Sequence, residues 1–142
     1  MGDKERILVV DDEPGMCEFL EYLLEGEGYE VETTLSGAEG LLKLEENGFA
    51  LVLADIKMPG MDGIELLRRV RELDKNIVFV VMTAYASMET AIKAIKYGAY
   101  DYLGKPFDDT EKILTVIERG LSRYRELVSE ERLISMDTQS QS

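Results

Sequence analysis

The stretch LVLADIKMPGMDG, Leu51 to Gly63, sets four apolar residues directly against an aspartate, Asp55, and follows it three residues later with a Met-Pro-Gly-Met-Asp-Gly turn. A short apolar run bounded by turn residues reads as a buried strand. Such a strand, ending in a carboxylate, carries a charge to the edge of the core. The segments on either side show what meets it there.

Working outward, RILVVDD (Arg6 to Asp12) begins as a second apolar strand, and a helix follows from about Pro14, a residue suited to a first helical turn. Phe19, Leu20, Leu23 and Leu24 lie on one face of it at helical spacing, and Gly26 and Gly28 stop it. YEVETTL from Tyr29 alternates as a strand, and Ser36 is placed to cap a second helix that offers Leu41, Leu42 and Leu44 to the core and ends near Asn47 and Gly48. FALVLA from Phe49 forms the third strand. A third helix spans Gly63 to Leu73 with Ile64, Leu67 and Val70 inward. NIVFVVMT from Asn76 is the fourth strand. Ser87 caps a fourth helix whose Met88, Ala91, Ile92 and Ile95 share a face, and Gly98 ends it. YDYLGKP from Tyr100 is a short fifth strand, and a last helix starts near Asp108 or Thr110.

Strict alternation of strand and helix predicts an α/β fold with a mainly parallel sheet, and nearly continuous apolar strands fit a sheet covered on both faces. In such sheets ligands bind beyond the carboxyl ends of the strands. Those ends carry Asp11-Asp12-Glu13 on the first strand, Asp55 on the third, Thr83-Ala84 on the fourth and Lys105-Pro106 after the fifth. All fall on one edge of a parallel sheet. Clustered carboxylates repel one another unless one takes a proton or a cation joins them. Hard oxygen ligands suit Mg²⁺ or Mn²⁺. A carboxylate there can act as a nucleophile toward phosphorus and become an aspartyl phosphate. Lys105 would pair with phosphoryl oxygens, Thr83 would donate a hydrogen bond to them, and the small Ala84 leaves the cleft open. Each residue alone has a plainer reading. Asp11, Asp12 or Glu13 could cap the first helix, Asp55 could open a turn, Thr83 could be an ordinary strand-end residue and Lys105 a solvated surface lysine. Their shared edge is what favours a site.

Composition narrows the function classes. The 142 residues are 45% hydrophobic, enough for one domain with a real core. The formal net charge is −13, and 24 of the 29 acidic residues fall in residues 1–117, so the globular part is acidic and no direct nucleic-acid binding is expected. No histidine is present, which removes the commonest general base and zinc ligand. No apolar run is long enough for a membrane span and the N-terminus lacks a signal-peptide core, so a cytoplasmic location is expected. The single cysteine, Cys17, reads as a small packed helix residue.

The set VVDDE, LADIKMPGMDG, VVMTAY and YLGKPF, in this order and spacing, resembles the receiver domain of two-component response regulators over roughly residues 5–121. TAYASMETAIKAIKYGAYDYLGKPF looks most like receivers of the NtrC class of transcriptional activators. The resemblance implies a doubly wound, five-stranded parallel sheet in the order 2-1-3-4-5 with five helices, the CheY-like fold. It implies Asp55 as the phosphoacceptor, Asp12 and Asp55 as direct Mg²⁺ ligands, Asp11 as a ligand through water and the Lys57 carbonyl as a further one. Thr83 and Lys105 become phosphoryl contacts and Tyr102 the switch aromatic. Lys57 and Tyr85 fall at positions that influence how long the phosphoryl group lasts, and the Lys105–Pro106 bond is implied to be cis. The implied partner is a sensor histidine kinase or phosphotransfer protein. The implied response is a change of the face made by the fourth helix, fifth strand and fifth helix, controlling transcription. The resemblance also implies a domain that catalyses only its own phosphorylation and dephosphorylation and is not a classical enzyme.

Two rivals share parts of the pattern. A haloacid-dehalogenase-type phosphatase needs a second aspartate two residues after the first, where this chain has Lys57, and a flavodoxin-like protein needs a hydroxyl-rich phosphate loop where this chain has the acidic DDEPG. Beyond the expected domain end at 121, Leu121, Tyr124, Leu127 and Val128 continue an apolar stripe through a helical linker at 122–134, which would either fray or pair with a second copy in a homodimer. Gly120 marks a possible hinge. SMDTQSQS from Ser135 has no core-forming pattern and is expected to be disordered. In the NtrC class an ATPase and a DNA-binding domain follow such a linker, and neither output domain is in this sequence.

Overall fold

The computed structural model describes residues 4–46, 48–84 and 88–140, with side chains through residue 136. Strands β1 (Arg6–Val10), β2 (Glu30–Thr34), β3 (Phe49–Asp55), β4 (Val78–Ala84) and β5 (Asp101–Lys105) alternate with helices α1 (Pro14–Glu25), α2 (Gly37–Glu45), α3 (Gly63–Leu73), α4 (Met88–Lys96) and α5 (Thr110–Ser140). The sheet order is β2-β1-β3-β4-β5, with every neighbouring pair parallel. This is the doubly wound arrangement the resemblance implies.

Alternation along the strands splits the core into two layers. Ile7, Val9, Leu51, Leu53, Val80 and Met82 face α1 and α5, meeting Leu20, Leu24, Ile113, Ile117 and Leu121. Leu8, Val10, Val52, Ala54, Phe79 and Val81 face the other way, against Leu44, Leu66, Leu67, Val70, Ala91 and Ala94. All seven residues of β3 are buried, so this central strand cannot shift its end without unpacking both layers. Helix starts are fixed locally. The Glu39 N–H donates to Ser36 Oγ (3.2 Å) at α2, and the Glu65 N–H donates to Asp62 Oδ1 (2.9 Å) at α3.

Several expectations are corrected. In α4 the buried residues are Ala91 and Ala94, while Ile92 (55% exposed) and Ile95 (41%) face outward. Small side chains let the helix lie close on the sheet, and the burial face is rotated from the one the larger residues suggest. Leu42 (64%) and Phe19 (37%) are likewise exposed, since Gly37, Gly40 and Leu44 of α2, and Cys17, Leu20 and Leu24 of α1, take the inner positions. Gly120 is no hinge. Helix α5 runs unbroken through it, and a Cβ there would stand 2.8 Å from Leu51 Cδ1 and 3.2 Å from Val78 Cγ1. The glycine lets α5 press onto the sheet. Residues 135–140, expected to be disordered, continue the helix, because extending an existing helix is far cheaper than starting one. Asn47, Tyr85, Ser87 and the last two tail residues lie outside the described residues. Among the described residues, no helix is long and apolar enough to cross a membrane.

Candidate functional site

Parallel pairing brings the ends of β1, β3, β4 and β5 to one edge, as anticipated. Asp11 is fully buried and Asp55 is 8% exposed. Each is gripped twice. Asp11 Oδ1 accepts the Glu13 N–H (2.9 Å) and its Oδ2 accepts Lys105 Nζ (2.9 Å). Asp55 Oδ1 accepts the Lys57 N–H (3.3 Å) and its Oδ2 accepts the same ammonium (3.0 Å). Lys105 thus bridges two carboxylates from two strands. Asp12 is exposed beside them, and carboxylate oxygens of Asp11, Asp12 and Asp55 lie within 4.8 Å of one another. Glu13 stands apart from this group. It occupies the N-cap position of α1 with no side-chain cap bond, so none of the three acids after β1 caps that helix through the N2 or N3 amide.

The electrostatics follow from one cation serving two buried anions. Burial pushes the Asp55 carboxyl above its usual value of 3.8, and the opposing pull of Lys105 does not offset it, partly because Asp11 adds like charge. For Lys105 the balance reverses. Burial lowers its pKa, but the hydrogen bonds to Asp11 and Asp55 outweigh that and hold it above its usual value. The site is short of positive charge, with an exposed acid at its mouth and an all-oxygen donor set. That is what a hard divalent cation fits.

Thr83 is 1% exposed at the end of β4, and its hydroxyl donates to the Ala84 carbonyl (3.1 Å). Tyr102 on β5 is half-buried against the layer that contains α4. The Lys105–Pro106 bond is cis. Pairing holds the turn after β3, with the Ile56 N–H donating to the Met82 carbonyl (3.0 Å) and the Gly63 N–H to the Ile56 carbonyl (2.8 Å). Gly63 is a position supporting the candidate site that the residue types alone do not reveal. A Cβ there would lie 2.4 Å from the Asp55 carbonyl oxygen and 2.8 Å from Ile56 Cα. The signal was its place after the Met-Asp of the turn, where the chain must fold back under β3. Cys17 donates its thiol to the Asp11 carbonyl (3.4 Å), and burial, with Asp11 nearby, pushes the thiol up to about 11. It is a packed, unreactive residue.

A family model described as the response regulator receiver domain matches residues 7–118. The chain belongs to this family. The receiver is similar to the transcriptional regulatory protein ZraR of Klebsiella oxytoca, 45% identical over 117 residues, 82% of this chain and 26% of the relative. The DNA-binding transcriptional regulator NtrC of Escherichia coli (strain K12) is 38% identical over 120 residues, 84% of this chain and 25% of the relative. The receiver thus spans about a quarter of the length of these curated relatives. Among solved structures, a receiver domain protein from Clostridium thermocellum superposes with a TM-score of 0.83 at 33% identity, covering 87% of this chain and 98% of that one. NtrX from Brucella abortus reaches 0.86 at 30% identity, covering 92% of this chain and 30% of that one. The receiver is of the NtrC and ZraR class. Receivers of this family are phosphorylation switches that bind Mg²⁺ in an acidic pocket and interact with histidine kinases.

Proposed function

We propose that Asp55 is the phosphoacceptor of this receiver and that it takes a phosphoryl group from the phosphohistidine of a sensor histidine kinase or phosphotransfer protein. The observation that carries this reading is the Lys105 ammonium held between Asp11 and Asp55, with Asp12 within carboxylate reach. An Asp55 oxygen attacks phosphorus, the P–N bond breaks and the imidazole leaves with the electron pair. Asp11, Asp12, Asp55 and the Lys57 carbonyl would hold Mg²⁺, which supplies charge neutralisation for the acids and the incoming phosphoryl oxygens. Asp11 keeps its backbone grip while Lys105, already at Asp55, pairs with the phosphoryl oxygens. Thr83 leaves the Ala84 carbonyl to donate to the same group. Tyr102 then turns toward the space Thr83 vacates, and the face of α4, β5 and α5 changes. The domain catalyses nothing beyond its own phosphorylation and dephosphorylation.

Residues 1–121 form the receiver proper and 122–134 the linker, with the remainder a tail. The changed face and the partly exposed Leu127 and Val128 of the linker favour a homodimer, and the output is control of transcription in the cytoplasm through a domain not in this sequence. The resemblance to ZraR and NtrC supports that output. The test is the intact mass after incubation with acetyl phosphate and Mg²⁺. The wild type gains one phosphoryl group, while Asp55→Asn and the metal-free control gain none. A folded wild type that gains none, and also fails to bind beryllium fluoride, would remove Asp55 from the role.

A further inference from the structure

The far edge of the sheet, opposite the carboxylates, holds a set of polar contacts the phosphorylation chemistry does not use. Arg71, near the end of α3, is half-buried, and burial lowers its pKa. Its guanidinium donates to the carbonyls of Asp74 (3.4 Å), Ile77 (2.6 Å) and Gly98 (2.9 Å). Asp74 and Ile77 flank the α3–β4 loop, and Gly98 follows α4 with a positive φ of 107°. One planar cation therefore ties this loop to the turn that ends α4. The same loop is ordered by the Asn76 N–H donating to Asp74 Oδ1 (2.7 Å). Asn76 is 8% exposed, and its side-chain amide donates to Glu131, nearly three turns beyond Leu121, the last fully buried residue of α5. A second contact, Arg125 Nε to Glu5 Oε2 (3.1 Å), joins the same stretch of helix to the start of β1. Tyr124, on the same stretch of helix, packs against the first core layer.

We propose that Arg71 and Asn76 join the C-terminal end of α4 to the linker part of α5, so that the order of one is energetically coupled to the order of the other through the α3–β4 loop. The coupling needs no second copy of the chain. It deepens the proposed function, because α4 is part of the face assigned to change and the linker leads toward the output. Its physical content is that a loop with both of its polar anchors in place holds Glu131, and a loop that loses Arg71 or Glu131 loosens at both ends. Linkage makes the effect reciprocal.

Hydrogen exchange of the full chain tests this. Glu131→Ala removes the partner of Asn76 without touching α4, and Arg71→Lys keeps the charge but loses the fork that reaches three carbonyls. Exchange at amides 122–131 should rise about tenfold in Glu131→Ala, the effect of one lost hydrogen bond to a charged group. The same variant should raise exchange at amides 97–100, and Arg71→Lys should raise it at 122–131. Amides of β1 and β3 should be unchanged in both, since a merely destabilised fold would loosen them as well. Linker exchange that rises in Glu131→Ala with no response at 97–100 overturns the coupling. So does an unaltered linker in Arg71→Lys, or a uniform rise across the sheet. Acetyl phosphate labelling of the same samples is read separately. Loss of labelling in the wild type would strike the assignment of Asp55 and leave the exchange result standing.

Discussion

A Cβ on residue 63 would stand 2.4 Å from the carbonyl oxygen of Asp55, and neither side can retreat freely, because the Gly63 and Asp55 backbones are both held by pairing. Gly63→Ala should therefore lower stability by about 1–3 kcal/mol, the usual cost of overpacking. It should also slow acetyl phosphate labelling by displacing Asp55, as urea unfolding and a mass time course would show. Asp55 itself yields a pH prediction. Its folded-state pKa is raised, so its contribution to stability is fully present below the unfolded carboxylate pKa and is lost as pH rises through the folded value. Without metal, Asp55→Asn should melt above the wild type at neutral pH, and the gap should close as pH falls into the ordinary carboxylate range. Equal melting temperatures at neutral pH would show that Lys105 fully offsets the burial. At this scale the clustering of the candidate residues was legible, because each stands at or just after the end of a strand. Gly63 was not, since nothing in a glycine's own neighbourhood announces the backbone that will lie against it.

Helices were legible as elements but only in part as faces: Leu20 and Leu24 of α1 and Leu67 and Val70 of α3 are buried as expected, while α4 is turned. The periodic reading of α4 weighted Ile92 and Ile95, whereas the sheet took Ala91 and Ala94. Side-chain size misleads wherever a helix is pulled in close, and close approach depends on partners far away in sequence. Helix α5 shows the same effect at Gly120. A hinge there would gain about 1 kcal/mol on replacement by alanine through helix propensity. The packed arrangement instead opposes that gain with an overpacking cost of about 1–3 kcal/mol. Gly120→Ala should therefore be neutral to destabilising in urea unfolding, and clear stabilisation would restore the hinge. The continuation of α5 to Ser140 was hidden for a different reason. Residues 135–140 have little apolar pattern, but they extend a helix already anchored by Arg125–Glu5 and Asn76–Glu131.

For the whole molecule, the order of strands and the two-layer core follow from apolar alternation, and the excess acid is a property of the folded domain. Three carboxylates lie together, two of them sharing one ammonium, and on the proposed function the folded state binds a divalent cation that the unfolded chain does not. Mg²⁺ at about a hundredfold excess over its dissociation constant should stabilise the wild type by about 2.7 kcal/mol. Scanning calorimetry should show that shift, and it should be lost in Asp12→Asn, whose exposed side chain can be changed without disturbing the core. An equal shift in both proteins would mean that the ion acts by screening the acidic surface.

The Lys105–Asp11 bond joins positions separated by 94 residues, and Lys105–Asp55 spans 50. During synthesis the two aspartates leave the ribosome well before the lysine that lies between them. A nascent chain stopped before β5 carries both aspartates but not yet the ammonium they share in the folded domain. On the role proposed for Lys105, competence to carry a signal arrives late in translation, with the fifth strand.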